Sequence, residues 1–211
     1  MITLAEPKVR VLSEDGPNTY SQQELLVERQ KAQLGMVSAQ FNLGVMYAVN
    51  GRPRSAVYWL RLAALRGHRE ASYNLAVLML NGEGVPPDDA KAVLWLERSA
   101  KRGMPEAQYL LGRLHYDGRG VARDPVAEAN WYRRSAEGGY PLAQHELAVL
   151  FHLGEGVPKD EVEAFAWFKV ADASGLDSRD SLAAVRASLT AGEVVEGEAR
   201  GTEYARRFAR R

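Results

Sequence analysis

The only four tryptophans in the chain lie on one 36-residue ruler: Trp59, Trp95, Trp131 and Trp167. Gly67, Gly103, Gly139 and Gly175 keep the same spacing. A fixed period of this length restricts the chain to a repeat array, in which each repeat buries its apolar face only against its neighbours. Every local pattern has to be read inside that frame.

Aligned on the period, each repeat opens Gly-x-x-x-Ala, as in Gly67 to Ala71, Gly103 to Ala107 and Gly139 to Ala143. Leu75, Leu111 or Leu147 follows four residues later, and then Met79, His115 or Phe151. Positions i, i+4 and i+8 share one helix face, so this stretch predicts an amphipathic helix. The residue after each leucine is small (Ala76, Gly112, Ala148), which lets a second helix approach where a large side chain would overpack. A Gly-x-Gly-Val loop comes next at Gly82–Val85, Gly118–Val121 and Gly154–Val157. Its glycines stop the helix in left-handed conformations, and its valine is expected to tuck into the core. Asp88, Asp124 and Asp160 then read as N-caps of a second helix, which carries the tryptophan. Each repeat is thus helix–loop–helix with helices of about 12–14 residues. The tryptophans are expected to anchor the shared core, since aromatics at helical spacing supply burial.

The unit resembles the Sel1-like repeat, a relative of the tetratricopeptide repeat. The shared pattern is Ala-x-x-x-Leu-Gly-x-x-Tyr, Gly-x-Gly-Val-x-x-Asp and Ala-x-x-Trp-x-x-x-Ala-Ala, and residues 71–100 match it almost throughout. The resemblance implies an all-α, right-handed solenoid of tandem repeats with capping helices at both ends. Residues 1–18 mix Pro7, Gly16, Pro17 and charges without periodicity and read as a flexible arm. Residues 19–34 form an N-terminal capping helix opened by a Ser21–Glu24 capping box. Four repeats follow at 35–66, 67–102, 103–138 and 139–174, and 175–211 close the array. In that last segment 181–189 and 190–208 are expected helices, the second opened by a Thr190–Glu193 capping box.

Two repeats depart from the pattern. Repeat one replaces the long loop with Asn50-Gly51-Arg52-Pro53, where Pro53 suits the first turn of a helix. Repeat three has Glu128 where Ala56, Ala92 and Ala164 stand, and a local twist would bring Ala127 or Ala129 to that place.

Composition sets the outer bounds. With 27 basic and 27 acidic residues the balance is neutral, which argues against a broad nucleic-acid surface. No cysteine is present, so there is neither a disulfide framework nor a thiolate site, unlike the disulfide-rich branch of Sel1-like proteins. No segment approaches a ~18–20-residue apolar span, and the start lacks a signal-peptide pattern. A cytoplasmic monomer is the expectation, bacterial by the resemblance. Arg206, Arg207, Arg210 and Arg211 form a small basic cluster that suits a helix C-terminus, with an acidic-partner patch as the other reading.

Catalytic patterns fail in turn. His145-Glu146 begins a His-Glu-x-x-His motif, but Val149 fills its last place. His145 and His152 lack an obvious third ligand for zinc and read as groove-lining residues, while His115 reads as core. The Gly-x-Gly loops follow helices rather than strands and are not dinucleotide loops. No metal or cofactor is expected.

By similarity to tetratricopeptide arrays, the first helices line a concave groove. Its positions here are Phe41, Val45 and Ala48; Tyr73, Val77 and Leu80; Tyr109, Arg113 and Tyr116; and His145, Val149 and His152. Asn42 and Asn74 sit where related arrays hydrogen-bond a peptide backbone, and bonding to neighbouring helices is an equal alternative. The expected function is a non-enzymatic scaffold or adaptor holding a peptide or protein in that groove. The alternatives are a hydrolase using His145 or Glu146 and an inhibitor or immunity-type partner of one specific protein.

Overall fold

The computed structural model describes residues 20–208, so the expected arm over 1–18 and the pair Arg210 and Arg211 lie outside the described residues. Among the described residues there are eleven α-helices and no strand. They fall into two compact units, divided between Arg102 and Gly103.

The first unit holds α1 (Gln22–Gln33), α2 (Val37–Val49), α3 (Pro53–Leu65), α4 (Arg69–Asn81) and α5 (Asp89–Ala100). Each helix packs on the next in sequence. The second unit holds α6 (Pro105–Asp117), α7 (Pro125–Glu137), α8 (Pro141–Leu153), α9 (Glu161–Ala173), α10 (Arg179–Arg186) and α11 (Ala191–Phe208). There too α6 to α9 pack in order, and α9 also carries α10 and α11.

Helix ends follow the local chemistry. Asp88, Asp124 and Asp160 accept backbone N–H groups at the starts of α5, α7 and α9 at 2.9–3.0 Å. Ser21 and Glu24 cap α1 reciprocally, and Thr190 and Glu193 do the same for α11. Pro53 occupies the first turn of α3. Gly82, Gly118 and Gly154 end α4, α6 and α8 with φ of 70°, 67° and 75°, where a β-carbon would be strained.

The small residue after each leucine sets the hairpin spacing. A β-carbon on Gly44 would come within 2.7 Å of Leu60, and one on Gly112 within 2.6 Å of the Tyr132 ring. Two of the glycines before a loop valine tie their repeat to the previous one: a side chain on Gly84 would overlap the Pro53 carbonyl, and one on Gly156 the Pro125 carbonyl. Polar side chains bridge repeats as well. Gln40 donates to the Ala32 carbonyl at 3.3 Å and Gln144 to that of Ala136 at 3.2 Å. Arg66 donates to the Gly35 carbonyl, and Arg102 to that of Gly67 at 2.6 Å.

Three expectations need correction. Of the tryptophans only Trp167 is fully buried, at 3% exposure, because α11 covers it with Tyr204 and Phe208 and Glu163 accepts its indole N–H at 3.1 Å, while Trp59 packs against the buried cluster of Leu25, Ala32, Ala39, Leu43 and Met46. Trp59, Trp95 and Trp131 are half-buried. Arg98 covers the Trp95 ring at 4.4 Å and Arg134 the Trp131 ring at 5.0 Å, so these two rings serve as outer lids. The loop valines Val85, Val121 and Val157 are half-buried rather than core. Glu128 keeps the alanine place, 4% exposed, so no twist moves Ala127 or Ala129 into it.

The end of the second unit is built around one carboxylate. Glu163 accepts from the Trp167 indole, from Arg200 at 2.9 Å and from the Tyr204 hydroxyl at 3.0 Å. The buried Gly197 and Gly201 let α11 lie close to Phe165, Ala166 and Lys169 of α9.

Candidate functional site

The strip expected to contact a partner differs between the units. In the first unit Val45 and Val77 have no exposed surface, and neither has Asn74. These three residues are interior packing and cannot touch a partner in this structure. Phe41 is 8% and Tyr73 9% exposed, so they too belong to the core. Phe41 stacks on His68 with centroids 4.4 Å apart, which occupies its ring face. The His68 imidazole also caps α4, accepting from the Ala71 N–H at 3.4 Å, and burial holds its pKa below the ordinary histidine range. Asn42 donates to Glu28 of α1 at 2.9 Å, so the neighbouring-helix alternative describes it.

In the second unit the same register is partly open. Tyr116 is 49% exposed, with Arg123 over its ring at 5.6 Å. Arg113, Val149 and His152 are half-buried. His152 Nδ1 lies 2.7 Å from Glu161, which Lys159 also contacts at 3.0 Å. Tyr109 is the exception, 6% exposed and stacked against Tyr132 with centroids 5.5 Å apart. His145 leaves the strip: it meets Phe168 edge-on at 5.0 Å and the Ser181 hydroxyl at 3.5 Å, so α9 and α10 occupy it. The imidazoles of His145 and His152 therefore serve different neighbours. Among the described residues no group of three His, Cys, Asp or Glu side chains could hold a metal ion.

Behind the open strip lies a set of ionisable groups that the sequence frame hides. Burial raises the Glu128 carboxyl to about 7, and Glu155, Glu146 and Asp117 reinforce the shift against Arg123. The backbone N–H of Glu128 donates to the Asp124 carbonyl at 2.9 Å, and Arg123 is the one positive charge that lowers the pKa of its side chain. Burial also raises the Glu146 carboxyl, with Arg113 opposing. Burial and then the charge of Glu146 push the Tyr109 hydroxyl up. That hydroxyl is buried, and the Arg113 guanidinium beside it pulls its pKa the other way through its charge and a hydrogen bond. Tyr132 is pushed up by burial and by the same carboxylates. α6, α7 and α8 thus bring Tyr109, Arg113, Glu128, Tyr132 and Glu146 together. One signal did mark the place: a glutamate at a position that is alanine in the three other repeats.

Comparison with known proteins places these features in a family. The Sel1 repeat pattern matches residues 37–68, 69–104, 105–140 and 141–171. Among solved structures, c5321, a protective antigen present in uropathogenic Escherichia coli strains and displaying an SLR fold, superposes with a TM-score of 0.79 at 28% identity. That match covers 88% of this chain and 41% of the antigen. A Sel1 repeat protein from Oxalobacter formigenes superposes with a TM-score of 0.73 at 33% identity, covering 82% of this chain and 52% of the other. The chain therefore spans about half or less of the length of these relatives. No curated protein matches the sequence. No helix among the described residues is long and apolar enough to cross a membrane. With four consecutive matches over most of its helices, this all-α tandem-repeat chain belongs to the Sel1 repeat family, whose repeats are in general protein-interaction modules.

Proposed function

We propose that the chain is a non-enzymatic scaffold or adaptor, and that the open strip of its second unit holds a peptide or protein segment. The observation that carries this reading is the exposure of Arg113, Tyr116, Val149 and His152 in one register of α6 and α8. Aromatic, aliphatic and hydrogen-bonding side chains in one row suit an extended segment, since Tyr and Arg are the residues that dominate interface energetics. An inhibitor or immunity-type role would use the same strip and differ only in partner. A cytoplasmic location and a monomeric state remain part of this reading.

Affinity capture from native lysate tests it, with wild type beside a Tyr116→Ala/His152→Ala double variant and re-measurement of each captured protein in solution. Tyr73→Ala and Tyr109→Ala are poor choices here, since both rings are buried and their loss would act through stability. A partner that binds wild type and loses at least tenfold in affinity with the double variant supports the reading. A partner that binds both equally moves the contact elsewhere on the molecule.

A further inference from the structure

The outward register of the second helices follows a rule that α3 breaks. On the 36-residue period, Tyr58, Leu62 and Leu65 of α3 correspond to Leu94, Arg98 and Lys101 of α5, to Asn130, Arg134 and Glu137 of α7, and to Ala166, Val170 and Ala173 of α9. Positions i, i+4 and i+7 make one stripe along a helix. On α9 the stripe is apolar and a helix of the same chain lies over it. α11 packs there with Gly201 against the Ala166 carbonyl, and Ala166 and Val170 are 0% and 2% exposed. On α7 the stripe is polar and exposed, and on α5 a lone exposed leucine is followed by two charges. Apolar character goes with a cover, and polar character with its absence. α3 has the character without the cover: Tyr58 is 59% and Leu65 63% exposed, with Leu62 half-buried between them. A contiguous exposed apolar stripe of this kind marks an interaction surface.

The charge around the stripe narrows what can cover it. Residues 51–66 hold Arg52, Arg54, Arg61 and Arg66 and no acidic residue. Arg66 is engaged by the Gly35 carbonyl, whereas Arg52, Arg54 and Arg61 are exposed and form no ion pair among the described residues. Arg54 and Arg61 stand four before and three after Tyr58, on the face of the stripe itself. A second copy laid stripe against stripe would set arginines against arginines, and an acidic cover would not.

We infer that the outer face of α3 docks an acidic amphipathic helix of a partner protein, with the apolar stripe of that helix on Tyr58, Leu62 and Leu65 and its Asp or Glu flanks against Arg54 and Arg61. This surface is separate from the strip on α6 and α8 and does not depend on it. α11 supplies the precedent within the chain. It sets Tyr204 and Phe208, four residues apart, on Trp167, and an ion pair at its flank fastens it, Arg200 to Glu163 at 2.9 Å. Trp59 is the equivalent ring on α3, half-buried and met edge-on by Tyr58 at 5.1 Å. On α3 the flanking charges are arginines, so the sign required of the cover is reversed. Apolar burial supplies the affinity, and the charges select the partner and make binding weaken with salt.

The test selects, on the full chain, from a display library of 18-residue amphipathic helices, the length of α11. Stripe positions vary among Leu, Met, Phe and Trp, and flank positions among Glu, Lys and Ala. Helices with glutamate flanks are the expected winners. Made as labelled peptides, they should lose at least tenfold in affinity by fluorescence anisotropy against Tyr58→Ser/Leu65→Ser and against Arg54→Glu/Arg61→Glu. All four side chains are exposed, and circular dichroism checks that both variants fold. Tyr116→Ala/His152→Ala should leave the affinity unchanged. Lysine-flanked winners, or no enrichment of any helix, overturn the inference. So does binding that survives both α3 variants and falls with Tyr116→Ala/His152→Ala, an outcome that leaves the function proposed for the strip standing. Two further measurements can reassign the face. Co-sedimentation with phosphatidylserine vesicles that Tyr58→Ser/Leu65→Ser abolishes would make it a membrane contact and overturn the inference. A dimer in analytical ultracentrifugation that the same variant dissociates would give it to a second copy and overturn it equally.

Discussion

The helices that open each repeat fill one register in two ways. In the first unit the strip positions Phe41, Val45, Tyr73, Val77 and Leu80 are at or below 9% exposure, and Ala48 is half-buried. In the second unit Arg113, Tyr116, Val149 and His152 stand partly in solvent, and burial raises the carboxyls of Glu128 and Glu146 on the neighbouring helices. Repeat position therefore fixes where a side chain emerges from its helix but not whether anything covers it. The apolar version closes on itself and serves stability. The polar version stays open and carries a destabilising carboxylate, the kind of local conflict that marks functional sites.

The largest effect should separate the units at one shared position. Val77→Asp buries a charge at a site with no exposed surface and is expected to cost more than ~4 kcal/mol, melting the helices of the first unit. Val149→Asp, half-buried at the same register, should cost about 1 kcal/mol. Urea unfolding followed by circular dichroism reads both, and equal costs would erase the distinction between the strips.

Next in size is Glu128→Ala, which restores the residue of the other three repeats. A folded-state carboxyl raised to about 7 keeps its proton while the unfolded one loses it near the ordinary glutamate value, so Glu128 lowers stability progressively as pH rises from about 4.5 to 7. The substitution should therefore stabilise by about 2–3 kcal/mol at pH 8 and by less than ~1 kcal/mol at pH 5. A gain that does not change with pH would mean that Glu128 is not the buried acid described above.

The N-caps should treat the units alike. Asp88→Ala and Asp124→Ala each remove an acceptor at a helix start and should each cost about 1 kcal/mol in thermal or urea unfolding. A marked inequality would show that the units differ in frame as well as in strip. The smallest stability effect belongs to Tyr116→Ala, within about 0.5 kcal/mol, whereas Leu80→Ala at the same register, 8% exposed, should cost about 2–4 kcal/mol. A destabilising Tyr116→Ala would place that ring in the packing rather than in the strip.

The period made the frame legible. The capping aspartates, the loop glycines, Pro53 and both capping boxes all act where their residue types predict, because each works through backbone geometry within a few residues. Burial was less legible, because it depends on neighbours that one repeat does not specify. Trp167 is core and Trp95 is a lid, at the same repeat position, since α11 lies over one and only Arg98 over the other. His145 and Arg113 part company for the same reason. Glu128 was visible as a departure, but its weight comes from burial between packed helices and then from the charges of Glu155 and Glu146, distant in sequence and close only after α7 and α8 pack.

The way each loop keys into the preceding repeat also bears on how such an array can change length. Gly84 and Gly156 are halves of a joint whose other half, a proline-led helix start, belongs to the repeat before. A gene duplication or deletion preserves every joint only if it moves whole multiples of the period; any other break leaves a side chain facing a carbonyl. Repeat one has no Gly-x-Gly pair, and its joint is of another kind: the Asn50 side chain both accepts from the Tyr20 N–H and donates to the Tyr20 carbonyl, each at 2.8 Å. That repeat could not be copied into the middle of the array without bringing its own predecessor along.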